Sequence, residues 1–373
     1  MTVDPQERSL NNVAIVAARR TPIGTAGHGL AALTAADLAA AVLPPVLDDA
    51  GLTADHVTEV VLGNCTGPGG DLARYATLQA GLGVAVPGLT VDRQCGSGLA
   101  AIVVGAALVE PGRAVIAGGV ESASTSVRPE RAPFAPAALG DPEMGEAADL
   151  VAARAGIGRE RQDAYALRSH VRAVAAAAAG RFDAELVPVG GLTADERPRP
   201  GMTPERLARM RPIFSARGTA TAGSSCGIND GAAAVVLMTE SDRIRRGLPG
   251  LRILASATVG VSPRTPGLGL VPAVRAALDR AGVTLDDLAV IELNEAFAGQ
   301  VLACCDELGL DPERVCVEGG AIALGHPWGA SGAVLVVRLF GQLVRAGRVG
   351  ELGLATIAVG GGQGVAMVVE SCR

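Results

Sequence analysis

Three buried strand-like runs return in the same order about 240 residues later, and that repetition restricts the chain to a small set of folds. Val13-Ala14-Ile15-Val16-Ala17-Ala18, Val57 to Leu62 and Ala114-Val115-Ile116-Ala117 are answered by Leu251 to Ala257, Ala289 to Leu293 and Leu354 to Val359. Equivalent positions lie 238 (Ile15 to Ile253), 230 (Val61 to Ile291) and 242 residues apart (Val115 to Ile357). Helical patterns fall between them: Leu33 to Ala50, opened by Thr34 and closed before Gly51, then Ala73 to Leu82 and Gly96 to Val109. Val271 to Ala281, Glu295 to Leu308 and Ala330 to Ala346 follow in the second series. Strands alternating with capped amphipathic helices mark an α/β fold. The near-constant offset points to two halves built alike. Self-similarity is common among α/β chains, so periodicity alone leaves duplication and coincidence both open.

The boundaries expected are an N-terminal half over 1–119, an insert over 120–250 that returns to that half, and a C-terminal half over 251–373. The insert is rich in Arg, Pro and Ala and carries one clear helix, Arg159 to Ala179. It is suited to covering a site and gripping an anionic ligand.

Composition removes several function classes. A chain of 373 residues with 49% hydrophobic content can bury one large core or two fused ones. No run approaches the roughly 20 uncharged apolar residues of a membrane span. The segment Met1 to Arg8 is too polar for a secretory signal, and seven cysteines without metal-type spacing fit reduced thiols, so a cytoplasmic protein without metal is expected. A net charge of −6 and only eight aromatic residues argue against a nucleic-acid partner. The chain contains no lysine, and all 32 basic residues are arginine. A Schiff-base lysine, pyridoxal phosphate chemistry and a phosphate-loop lysine are therefore excluded.

Four segments carry candidate chemistry. Gln94-Cys95-Gly96-Ser97-Gly98 sets a thiol where an extended run meets an apolar helix. A helix N-terminus there favours the thiolate and offers N–H groups to an oxyanion. Glu292-Leu293-Asn294-Glu295 ends a strand where α/β sites assemble, so Asn294 is either a site amide or a helix cap. His326, in Gly325-His326-Pro327-Trp328-Gly329, lies in a glycine-rich turn immediately before a helix. Its imidazole can take a thiol proton and return it. Val359-Gly360-Gly361-Gly362 ends a buried strand and presents backbone N–H groups, unless it is simply a tight hairpin. A thiol, an imidazole, an amide and two N–H clusters together describe thioester acyl transfer.

These segments resemble the thiolase family of acyl-CoA C-acyltransferases over Val13 to Glu370. Ala18-Arg19-Arg20-Thr21-Pro22-Ile23-Gly24, Gly118-Gly119-Val120-Glu121-Ser122 and Asn229-Asp230-Gly231 add to the likeness. The resemblance implies duplicated βαβαβαββ halves in a five-layer αβαβα core, with an inserted loop domain that binds coenzyme A. It implies an acyl-CoA or acyl-carrier thioester as substrate, no cofactor, and a homodimer or homotetramer. Cys95 is then the acyl-accepting nucleophile and His326 its base. Asn294 and His326 form one oxyanion hole, and the N–H groups of Cys95 and Gly360 form the other. Arg211, Ser256, Glu143 and Met144 are the candidates for gripping coenzyme A.

The departures matter as much. The family's second cysteine, which moves a proton at the substrate α-carbon, is Ala358 here. Cys316 and Glu318 replace paired asparagines, Glu143 replaces a histidine, and Ala255 replaces a serine. Losing a general acid–base costs on the order of 10² to 10⁴-fold. Water or Glu318 could stand in for it. The competing readings are decarboxylative condensation in the manner of ketoacyl synthases, transfer to a non-carbon nucleophile, and a catalytically weak partner subunit.

Overall fold

A computed structural model describes residues 12–126 and 132–373. Its elements in chain order begin with β1 (Val13–Arg20), β2 (Gly24–Thr25), α1 (Ala35–Asp49), β3 (Val57–Gly63), α2 (Leu72–Gln79), β4 (Gly88–Val91), α3 (Ser97–Ala107) and β5 (Ala114–Ser122). The insert supplies α4 (Met144–Arg154), α5 (Arg159–Ala178) and α6 (Pro204–Ala208), and the chain returns through β6 (Asn229–Thr239) and α7 (Glu240–Arg246). The second series is β7 (Gly250–Gly260), α8 (Leu270–Ala281), β8 (Leu288–Leu293), α9 (Ala298–Leu308), α10 (Ala321–Leu324), α11 (Trp328–Leu339), β9 (Leu352–Val359) and β10 (Gln363–Cys372).

The ten strands form one sheet in the order β4-β3-β5-β6-β1-β7-β10-β9-β8, with β2 on β6. Reading outward from the central pair gives β1-β6-β5-β3 on one side and β7-β10-β9-β8 on the other, so the two halves share one connectivity. They join through only a short antiparallel stretch, Ala14 opposite Arg252 and Ile15 opposite Leu251. The repeats paired by sequence are the strands that correspond: β1 with β7, β3 with β8, β5 with β9.

Strand alternation sorts the buried residues into three cores. Ala114 and Ile116 face one way, into a core with α1 and α2. Val115 and Ala117 face the other way, into a central core shared with α3, α11 and the inner face of β9 and β10. Leu354, Ala366 and Val368 face outward again, against α8 and α9. The layers therefore run helix, sheet, helix, sheet, helix. Thr34 caps α1 through a reciprocal box with Asp37, as its sequence predicts.

Two boundaries differ from expectation. Helix α9 starts at Ala298 instead of Glu295, because residues 296–298 pair with another loop: Cys226 N donates to Ala296 O (2.9 Å) and Ala298 N to Ser224 O (2.9 Å). The last central helix ends at Leu339 and continues as a π-helical turn over Phe340–Arg345.

Helices α3 and α11 touch backbone to backbone. A Cβ on Gly98 would lie 2.8 Å from Gly329 O and 2.9 Å from Ala333 N, and one on Gly332 would lie 2.5 Å from Leu99 N. Gly98→Ala is therefore expected to destabilise the fold by about 1–3 kcal/mol. Gly158→Ala, where an added Cβ meets nothing within 4 Å, stays within about 0.5 kcal/mol. Urea denaturation of both variants checks the contrast.

Candidate active site

Cys95 stands on a wound turn between β4 and α3. Asp92 Oδ1 accepts from Gln94 N (2.8 Å), while Ser97 Oγ donates to Gln94 O (2.6 Å) and accepts from Arg93 N (2.8 Å). Gln94 is held at φ 45°, a left-handed conformation that a non-glycine residue adopts only when its surroundings impose it. The turn lifts the thiol to the mouth of the parallel strands β3, β4 and β5, where α/β folds build their sites.

His326 sits between α10 and α11. Gly325 precedes it at φ 117°, and a Cβ there would lie 2.6 Å from Ile23 Cγ2 and 2.8 Å from Asn229 Cγ, so glycine is required. Asn229 clamps the backbone: its Oδ1 accepts from His326 N (2.9 Å) and its Nδ2 donates to Gly24 O (2.9 Å). The ring Nδ1 lies 2.6 Å from Ser331 Oγ, whose hydroxyl donates to Pro327 O (3.0 Å). With that hydrogen committed, Ser331 Oγ accepts from Nδ1–H, and the Nε2 lone pair is left free to act as a base. Asn294, buried at the end of β8, places Nδ2 3.5 Å from Nε2.

Gly360 opens the hairpin between β9 and β10. Its N–H and that of Cys95 both act on the Cys95 sulfur, and both favour the thiolate. Burial opposes them and wins, pushing the thiol up to about 12. The N–H groups act in the direction expected of a helix start, which is worth about 0.3–1 kcal/mol at an exposed site, and desolvation of the thiol outweighs them. Burial likewise lowers His326 to about 3. The resting pair at neutral pH is thus a thiol and a neutral imidazole.

Cys95, His326, Ala358 and Gly360 line one cavity of about 100 Å³, with Met144, Cys226, Phe297 and Trp328. Among the candidates for coenzyme A, Met144 lines this cavity, whereas Glu143 and Arg211 are exposed outside it. Ser256 lies buried in β7, opposite Met367 of β10, and does not line the cavity. Glu318 is held by Arg338 and lies 3.8 Å from Arg181, away from the cavity. Glu295 serves structure: its carboxylate accepts from Tyr165 Oη (2.9 Å), Ser169 Oγ (2.6 Å) and Ile322 N (3.2 Å). Ser331 and Cys226 escape a reading of the sequence, and Asn229 is marked there only as part of a motif, without its role at His326. Ser331 leaves a signal in its place one helical turn beyond His326-Pro327. No group of His, Cys, Asp and Glu able to hold a metal occurs among the described residues. No described helix is long and apolar enough to cross a membrane.

Residues 13–241 match the family described as thiolase, N-terminal domain, and residues 249–371 match thiolase, C-terminal domain. The chain belongs to the thiolase family. An acetyl-CoA acetyltransferase of Pseudomonas aeruginosa is 43% identical over 392 residues, covering 96% of this chain and 99% of that protein. An acetyl-CoA acetyltransferase of Escherichia coli is 43% identical over 399 residues, covering 97% and 99%. The crystal structure of the Bacillus anthracis acetyl-CoA acetyltransferase superposes with a TM-score of 0.89 at 38% identity, covering 96% of this chain and 98% of that one. The fold is thiolase-like, and the enzyme is an acyltransferase of the thiolase type, acting by Claisen condensation and thiolysis. Decarboxylative condensation, non-carbon acceptors and a weak partner subunit are not favoured.

Two outcomes test the site. Alkylation of Cys95 by iodoacetamide should rise about tenfold per pH unit from 7 to 9, because the thiolate fraction does; a plateau below pH 7 would reveal a resting ion pair. Ser331→Ala should lower kcat on the order of 10-fold with little change in KM, since it removes the partner that fixes the imidazole tautomer. Steady-state kinetics on folded variant measures it.

Proposed function

We propose that the chain transfers acyl groups between coenzyme A thioesters through an acyl-Cys95 intermediate. The observation that carries this reading is the meeting of Cys95, His326 and the Gly360 N–H around one cavity. Acylation begins when Nε2 of His326 takes the Cys95 proton as the sulfur attacks the thioester carbonyl. The oxyanion that forms is met by the N–H groups of Cys95 and Gly360, fixed by the turn and the hairpin before substrate arrives. Asn294, beside Nε2, helps stabilise the second oxyanion, the enolate of the partner thioester. Acetyl-CoA is the first substrate to try, because the relatives above are named for it.

Coenzyme A phosphates fall to arginine and backbone N–H, since lysine is absent. Arg211 lies exposed on the insert and Met144 stands at the cavity wall, a division that suits a nucleotide in solvent and a pantetheine arm inside. Glu143 stands exposed outside the cavity and Ser256 is buried within the sheet.

A homodimer or homotetramer belongs to the same reading. Strand β4 is an unpaired edge of the sheet carrying exposed Leu89, and Tyr75, Leu78 and Val84 are exposed nearby in sequence. An open edge beside apolar side chains is a template for a second copy. All seven cysteines are free, which suits the cytoplasm.

Incubation with acetyl-CoA should add one acetyl group to the peptide containing Cys95, read by peptide mass spectrometry. Cys95→Ala should abolish the adduct and the overall turnover. A wild-type protein that stays unmodified by acetyl- and longer acyl-CoA would contradict acyl transfer at Cys95.

A further inference from the structure

Joining two acyl groups at the α-carbon of one of them requires a proton to leave that carbon, and thiolysis requires one to return. His326 is committed to the Cys95 proton. Ala358, on the cavity wall, has no proton to exchange. Of the described residues lining the cavity, only Cys95, His326 and Cys226 carry a group that can gain or lose one. Cys226 has no part in the chemistry described so far.

Its placement is a built one. The loop 224–226 is stitched to 296–298 by the paired backbone bonds that delay the start of α9, so the thiol is fixed beside the Asn294 segment. Behind it stands Arg197, whose guanidinium packs against the backbone of Gly227. Arg197 Nη2 reaches Ile322 O at 3.4 Å, and among the described residues its buried Nε has no hydrogen-bond partner. Its positive charge favours a thiolate at Cys226. Burial, Cys95 and Glu295 oppose ionisation, and Cys226 rests as the protonated thiol at about 12.

We propose that Cys226 is the acid–base group that serves the substrate α-carbon, reaching the reaction centre from the loop wall in place of a thiol at position 358. In thiolysis the Cys95 proton passes to His326 Nε2 and the sulfur attacks the 3-keto carbon. The C2–C3 bond breaks, its electron pair goes to C2, and C2 takes the proton of Cys226. The products of this step are an acyl-Cys95 carrying the shortened chain, acetyl-CoA as the departing two-carbon thioester, and a Cys226 thiolate facing Arg197. Free coenzyme A then gives its thiol proton to Cys226 and attacks the acyl carbonyl, while the departing Cys95 sulfur recovers its proton from His326. Condensation runs the same steps backward. The assignment rests on the acyl-Cys95 reading.

The two can be separated with acetyl-CoA in D₂O, following deuterium entry into the acetyl methyl group and, in parallel, acetylation of the Cys95 peptide. Wild type should show both. Cys226→Ala and Cys226→Ser should still acetylate Cys95 but lose exchange and thiolysis by on the order of 10² to 10⁴-fold. Adding Ala358→Cys to Cys226→Ala should restore exchange at least tenfold, because a thiol returns to the same cavity. Exchange at the wild-type rate in both single variants overturns the role of Cys226, and so does loss of acetylation together with exchange in both. Absence of acetyl-Cys95 in the wild type sinks the acyl-transfer reading and this inference with it.

Discussion

Helices α3 and α11 approach until their backbones touch, and the meeting of the thiol and the imidazole follows from that contact. Cys95 stands two residues before α3, and His326 two residues before α11. Side chains at Gly98 or Gly332 would hold the helices apart. Glu121, at the end of β5, locks the same junction from the strand side. Its buried carboxylate accepts from Asn64 Nδ2 (3.1 Å), Cys65 Sγ (2.8 Å), Thr66 Oγ1 (2.5 Å) and Gly329 N (3.0 Å). One carboxylate thus ties the loop after β3 to the first turn of α11, across the boundary between the halves. A buried anion satisfied by several donors costs little to keep and much to break.

The insert is fastened by a second buried network. Arg20 of β1 pairs with Glu185 (2.7 Å) and Asp195 (2.7 Å), and Arg338 of α11 pairs with Glu185 (2.5 Å) and with Glu318. Both guanidinium groups lie over the Phe182 ring, 5.5 Å from its centroid for Arg20 and 4.4 Å for Arg338. Such networks contribute less net stability than their contact distances suggest, because desolvation offsets the attraction. Their effect is positional. They set the insert against both halves, so that Met144 and the 224–226 loop close over a cavity whose floor is Cys95 and His326. Enclosure then keeps the reacting groups neutral until substrate arrives.

Much of this is legible in the sequence, for reasons that can be named. Buried strands such as Val13–Arg20 and capped helices such as Ala35–Asp49 are local events, written in period and cap residues. Cys95, His326, Asn294 and Gly360 stand at strand–helix or strand–turn junctions, and junctions carry glycine and polar signals that a reader can find. Other features are tertiary and leave no local mark. The thiol's ionisation depends on what encloses it, so burial overrides the N–H groups that the helix start supplies. Ser256 looks like a site residue beside a substituted position, yet strand pairing buries it in the sheet. Asn229 and Cys226 reach the site only because β6 and its preceding loop fold back across the strand ends.

The geometry can be observed directly in a crystal structure of the protein after brief exposure to acetyl-CoA. The expected density joins an acetyl group to Cys95 Sγ, its carbonyl oxygen within hydrogen-bond distance of the Cys95 and Gly360 N–H groups and His326 Nε2 facing the sulfur. An acetyl group on another cysteine, or on Cys95 with its oxygen turned away from both N–H groups, would contradict the assembly of the site by the α3–α11 contact.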